Sequence, residues 1–119
     1  MNAQVFCLLE VVIQPGREAE FRALVGETVA ATRADEPGTL DYEWSISADG
    51  TRAHLVERYV DSAAVLAHLA NFMARFAERF LAVVTPGAFT IYGAPSDAVK
   101  GALANFNPVY LEPVGGFSR

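Results

Sequence analysis

The run from Val5 to Ile13, VFCLLEVVI, is apolar on both of the faces that a β-strand presents. Alternate residues of a strand point to opposite sides, so Phe6, Leu8 and Val12 face one way. Val5, Cys7, Leu9, Val11 and Ile13 face the other. Such a strand is stable only when both faces are covered. The fold must therefore place a layer on each side of it, and few small folds do so.

Turn residues divide the rest of the chain into elements. Pro15-Gly16 ends the first strand. From Arg17 the apolar spacing becomes helical, with Phe21, Leu24, Val25, Thr28 and Val29 on one stripe. This helix fades near Asp35, because Pro37 disfavours helix at the residue before it. Pro37-Gly38 then turns the chain into LDYEWSIS, where Leu40, Tyr42, Trp44 and Ile46 share one strand face. Asp49-Gly50 marks a hairpin, and Ala53 to Val60 is the returning strand. Asp61-Ser62 caps a long helical pattern from Ala63 to Val84, which Thr85-Pro86-Gly87 breaks. Phe89 to Tyr92 reads as a fourth strand. Pro95-Ser96-Asp97 starts a short helix through Leu103, and Val109 to Leu111 is a final edge strand.

The predicted order is β-α-β-β-α-β with a C-terminal extension, an α+β, ferredoxin-like arrangement with a four-stranded antiparallel sheet. Two helices cover one face of that sheet. A second copy of the same sheet is the simplest cover for the other, so a homodimer is expected. At 119 residues, with 52% hydrophobic and 19% charged, the chain has the length and composition of one packed domain.

The formal net charge of −5 and the absence of any Lys/Arg block disfavour nucleic acid and anionic membranes as partners. No apolar stretch approaches the length of a membrane span. Met1-Asn2-Ala3-Gln4 lacks the positive start of a signal peptide. Cys7 is the only cysteine, which excludes an internal disulfide and fits a reducing cytoplasm.

Three segments, in this order and spacing, resemble the antibiotic biosynthesis monooxygenase family. They are PGREAEF at 15–21, EPGTLDYE at 36–43, and VERY at 56–59 followed by DSAAVLAHLAN at 61–71. The resemblance covers residues 5 to 92 and implies a dimeric α+β barrel, with residues 1–94 as the ferredoxin-like domain. Residues 95–119 would be an extension packed on that domain or on the partner subunit. The apolar stretch from Asn105 to Phe117 is expected to pack over a pocket mouth or to reach the partner. The family includes oxygenases that work without metal or flavin, which implies a small aromatic substrate, O2 and no cofactor. Haem-degrading relatives use an Asn, a Trp and a haem-ligating His. Those positions align with Leu9, His68 and Glu78, so the iron ligand is missing.

His68 lies three residues after Val65 and four before Phe72, on or beside the buried stripe of its helix. It is the first candidate base, weighed against an ordinary helix-edge histidine. Glu57 alternates with Leu55 and Tyr59 and is the second candidate. It orients His68, binds substrate, or pairs with an arginine across the sheet or dimer interface. Trp44, Tyr42 and Tyr59 offer flat surfaces to an aromatic ligand, or belong to the core. Phe72, Met73 and Phe76 are pocket wall or core. Asn71 hydrogen-bonds an oxyanion or faces water. His54 reads as an exposed strand residue, and Glu10 raises the same question as Glu57.

The leading reading is a cofactor-independent monooxygenase of a small phenolic, quinol or polycyclic aromatic compound. The alternatives are a small-molecule isomerase using the same His and Glu, and a non-catalytic ligand-binding dimer. No Gly-rich phosphate loop, GxSxG elbow or HExxH is present, and no metal-ligand spacing involves His54 or His68.

Overall fold

The computed structural model describes residues 3–119. Met1 and Asn2, the first half of the N-terminal tetrapeptide, lie outside the described residues. The elements run β1 (Val5–Ile13), α1 (Glu18–Asp35), β2 (Thr39–Ile46), β3 (Arg52–Tyr59), α2 (Ser62–Arg75) and α3 (Ala77–Val83). They continue with β4 (Val84–Gly93), α4 (Asp97–Ala102), a 3-10 turn (Ala104–Phe106) and β5 (Val109–Leu111). Among the described residues no helix is long and apolar enough to cross a membrane.

The sheet has the order β2-β3-β1-β4-β5, antiparallel throughout except for β5, which joins β4 in parallel. The extension therefore adds a fifth strand to the four expected. The doubly apolar β1 sits at the centre, between β3 and β4, as a strand without a polar face should. Its Val5, Cys7, Val11 and Ile13 are buried beneath the helices. Phe6 and Val12 remain exposed on the opposite face, together with Val56 and Tyr92 from the strands beside them.

The long helix expected from Ala63 to Val84 is broken at Phe76, whose φ of −128° ends α2 and precedes α3. Phe72, Phe76 and Phe80 recur every four residues, and a straight helix would carry each step about 40° further round its axis. The break returns Phe80 to the core, where its ring meets those of Phe72 and Trp44 at 5.3 and 5.8 Å.

Thr85-Pro86-Gly87, expected to be a break, is instead part of β4. Among the described residues the outer edge at that end of β4 is unpaired, because β5 matches only Thr90 to Tyr92. Proline is tolerated on such an edge. The register with β1 also shifts between Leu9 and Val11, leaving Gly87 and Ala88 opposite Glu10. A Cβ on Gly87 would stand 3.0 Å from the Glu10 carbonyl oxygen, a tight contact that glycine avoids. A second irregularity, between Thr39 and Asp41, removes Leu40 from the predicted inner stripe of β2 and leaves it exposed.

Candidate active site

The space between the sheet and helices α2 and α3 encloses a cavity of about 150 Å3. Its walls are apolar except at one pole, where Glu57, His68, Tyr42 and Tyr59 come together. Alternation along β3 delivers Leu55, Glu57 and Tyr59 to this side of the sheet, opposite Trp44, Tyr42 and Thr39 of β2. His68 comes down from α2 on the same stripe as Val65.

The imidazole is held from behind by a residue not singled out in the sequence. Glu36 Oε1 lies 2.7 Å from His68 Nδ1, and both side chains are buried. The Thr39 hydroxyl donates to the same oxygen at 3.0 Å, and Asn71 Nδ2 donates to Glu36 Oε2 at 3.2 Å. Three donors thus converge on one carboxylate. With Nδ1–H donating to Glu36, the lone pair of Nε2 is left facing Glu57, whose Oε1 is 3.5 Å away. The Tyr59 hydroxyl donates to that oxygen at 2.6 Å.

Glu36 arrives by way of its Pro-Gly turn. Pro37 forces Glu36 out of helical conformation, to φ −129° and ψ 77°, at the end of α1. Gly38 then lies flat on α2, where any Cβ would come within 2.7 Å of the Ala64 Cβ. That contact sets the carboxylate beneath His68. One sequence signal points to it: a carboxylate closing a helix faces the negative end of the helix dipole, which costs free energy unless something recruits the charge.

Burial drives the Glu57 carboxyl above the ordinary carboxylate range. His68, when protonated, and the Tyr59 hydroxyl oppose the shift, and the charge of Glu36 reinforces it. Burial, with Glu57 adding, also raises Cys7, Tyr42 and Tyr59, so a neutral thiol and two neutral phenols line the pole. The Tyr42 ring stands 5.2 Å from the imidazole and the Tyr59 ring 5.8 Å. The Tyr42 hydroxyl, beside Thr28 and Trp44, makes no well-formed hydrogen bond among the described residues, and neither does Trp44 Nε1.

Of the residues singled out in the sequence, His68, Glu57, Tyr42, Trp44, Tyr59, Phe72 and Met73 share this cavity. Asn71 does not line it; it is half-buried, and its Nδ2 donates to Glu36. Phe76 does not line it either. The kink directs its ring to the core, under the guanidinium groups of Arg75 and Arg79 at 5.2 and 5.6 Å. Glu57 pairs with His68 and Tyr59 rather than with an arginine. Glu10 and His54 stand 3.5 Å apart on the opposite, open face of the sheet, outside the site. Among the described residues no three His, Cys, Asp or Glu groups are gathered in a way that would hold a metal ion.

The family model for antibiotic biosynthesis monooxygenases matches residues 5–85, more than half of the chain. The chain belongs to the antibiotic biosynthesis monooxygenase family. Among solved structures it is similar to MupZ from Pseudomonas fluorescens, with 28% identity and a TM-score of 0.89, over 100% of this chain and 91% of that one. SnoaB, a cofactor-independent oxygenase from Streptomyces nogalater, matches at 22% identity and a TM-score of 0.65, over 79% of this chain and 95% of its own. A conserved protein from Methanosarcina mazei Go1 matches at 15% identity and a TM-score of 0.67, over 76% and 91%. These last two show the ferredoxin-like fold alone. No curated protein matches the chain.

Proposed function

We propose that the protein is a cofactor-independent monooxygenase that oxidises a small phenolic or quinol substrate with O2. The observation that carries this reading is an imidazole fixed at 2.7 Å by a buried carboxylate, at the polar pole of a cavity whose other walls are apolar. A phenol whose hydroxyl enters the polar pole gives its proton to His68 Nε2. Glu36 keeps the ring oriented and stabilises the imidazolium that forms. The electron-rich aryloxide transfers one electron to O2, and the radical pair joins as a C–O bond. Loss of water from the resulting peroxide leaves a quinone. One oxygen atom is kept as the new carbonyl and the other leaves as water, with all four electrons coming from the substrate. The Glu57 carboxyl, whose hold on a proton is strengthened by burial, stands at the same pole as the developing oxyanion. SnoaB supports the reaction class, being described as a cofactor-independent oxygenase of the same fold.

A second reading rests on the same pole. A carboxyl whose proton affinity is raised by burial stands 3.5 Å from an imidazole base, a pair that an isomerase uses to move a proton without oxygen. Oxygen uptake by metal-stripped protein, with isotopic O2 and naphthoquinol, anthrone and catechol substrates, separates the two. Enzyme-dependent label in the product supports the oxygenase. Turnover of a carbonyl compound at equal rate under argon supports the isomerase, and binding without either product leaves a ligand-binding module.

We also propose a cytoplasmic homodimer, in which a second copy covers the exposed Phe6, Val12, Val56 and Tyr92 of the open sheet face. The reduced, buried Cys7 suits the cytoplasm. Neither nucleic acid nor membrane enters the proposal. Light scattering on Val56→Asp should show a lighter particle than the parent; an unchanged mass would remove this face from the interface.

A further inference from the structure

The cavity has only about 150 Å3, roughly the space that holds a single benzene ring. Its polar groups are all at the inner end: Glu57, Tyr59 and His68 are buried. Its mouth is different. Met73 of α2, Leu81 of α3 and Phe106 of the 3-10 turn line the opening and are 52, 56 and 46% exposed. Among the described residues no arginine or lysine lines the cavity or its rim, so no fixed cation there would balance a carboxylate or phosphate. Large apolar side chains exposed together around a pocket mark a surface that a ligand covers.

Part of this rim is an addition to the shared fold. The family model ends at Thr85, whereas Leu103 and Phe106 belong to the extension. α4 holds them in place: Val99 is fully buried, the Ser96 side chain caps the helix, and the Ser96 N–H donates to Ser62 Oγ at the start of α2. Beyond β5 the chain from Glu112 to Arg119 is exposed, with Val114 and Phe117 unburied. The extension thus meets the pocket through Leu103 and Phe106, not through its last residues.

We propose that the substrate is an elongated, uncharged amphiphile: one polar, ring-sized head enters to His68, and an apolar body leaves across Met73, Leu81 and Phe106. The extension is then the element that selects the body. The orientation of the head rests on the acid–base pole proposed above; the selection of the body rests on the cavity's size and its rim.

Trp44, the only tryptophan, lines the cavity and reports binding by its fluorescence. The probes are para-alkylphenols from methyl to octyl, titrated without oxygen so that no turnover is needed. Affinity should rise roughly fourfold for each methylene buried within the cavity, and continue at about twofold along the half-exposed rim. Phe106→Ala should weaken the octyl compound about fivefold and leave the methyl compound within about twofold. Met73→Ala should do the same, and His68→Ala should weaken the whole series evenly. Affinity that peaks at ethyl and then stays flat or falls would overturn the proposal in favour of a compact occupant. A rise with chain length that neither rim variant alters would overturn the assignment of the body to this rim. Failure of oxygen incorporation leaves this result standing, and failure of the chain-length trend leaves the oxygenase standing.

Discussion

On each face of the sheet a histidine stands at the same distance from a strand glutamate, and the two pairs differ in their surroundings. On the open face His54 Nε2 and Glu10 Oε1 are 3.5 Å apart, with side chains 50 and 43% exposed. On the helical face His68 Nε2 and Glu57 Oε1 are also 3.5 Å apart, but 11 and 7% exposed, and Glu36 grips the other ring nitrogen. Water screens the first pair, as it screens most surface ion pairs. The second has lost that water, so each charge there must be balanced by a neighbour or suppressed by protonation. Distance between groups does not identify a site; the environment of the pair does.

The largest expected effect breaks the comparison at the imidazoles. His68→Ala should lower turnover on the order of a hundred- to ten-thousandfold, while His54→Ala leaves it unchanged. Steady-state kinetics on folded protein of both variants would check this, and equal losses would dissolve the distinction. Next is the support of the ring. Glu36→Gln keeps the shape but replaces the acceptor for Nδ1–H with an amide, and should cost kcat on the order of a hundredfold with little change in substrate affinity. An unchanged kcat would reduce Glu36 to a structural residue.

A smaller effect sharpens the contrast through pH. Glu57 is raised by burial, so the folded chain binds its proton more tightly than the unfolded chain does. Folded stability therefore falls as pH climbs from the ordinary carboxylate range, about 4.3, through the raised value. An amide in place of this carboxyl cannot ionise. The Tm of Glu57→Gln relative to the parent should accordingly move upward between about pH 4 and pH 8. A difference that stays constant with pH would contradict the raised carboxyl. The smallest effect is on the open face, where Glu10→Gln should change protomer stability by less than about 1 kcal/mol in denaturant unfolding. A larger cost would mean that the exposed pair is no mere surface contact.

Much of this molecule is legible in its residues. Apolar alternation places Tyr42, Trp44, Glu57 and Tyr59 on the helical side of the sheet. Asp49-Gly50 marks the hairpin, with Gly50 at φ 72°. Helical spacing puts His68 on a buried stripe. Expectation and structure part where an element responds to something far away in sequence. The break at Phe76 is set by what Phe72 and Phe80 pack against. Pro86 reads locally as a stop because its own preference is against strands, but no described strand pairs with the edge beside it and a bulge accommodates it.

Local pattern dictates the order of elements, the central place of β1 and the face on which each strand residue lies, because these follow from periodicities of two and 3.6 residues. The family is also written there, in three segments within residues 5 to 85. Three-dimensional packing alone brings Glu36, 32 positions before His68, to its ring, turns Asn71 to Glu36, and stands Phe106 at the mouth. Those meetings depend on how α1, α2 and the extension pack on one sheet. Packing is a sum of many long-range contacts that no local pattern encodes.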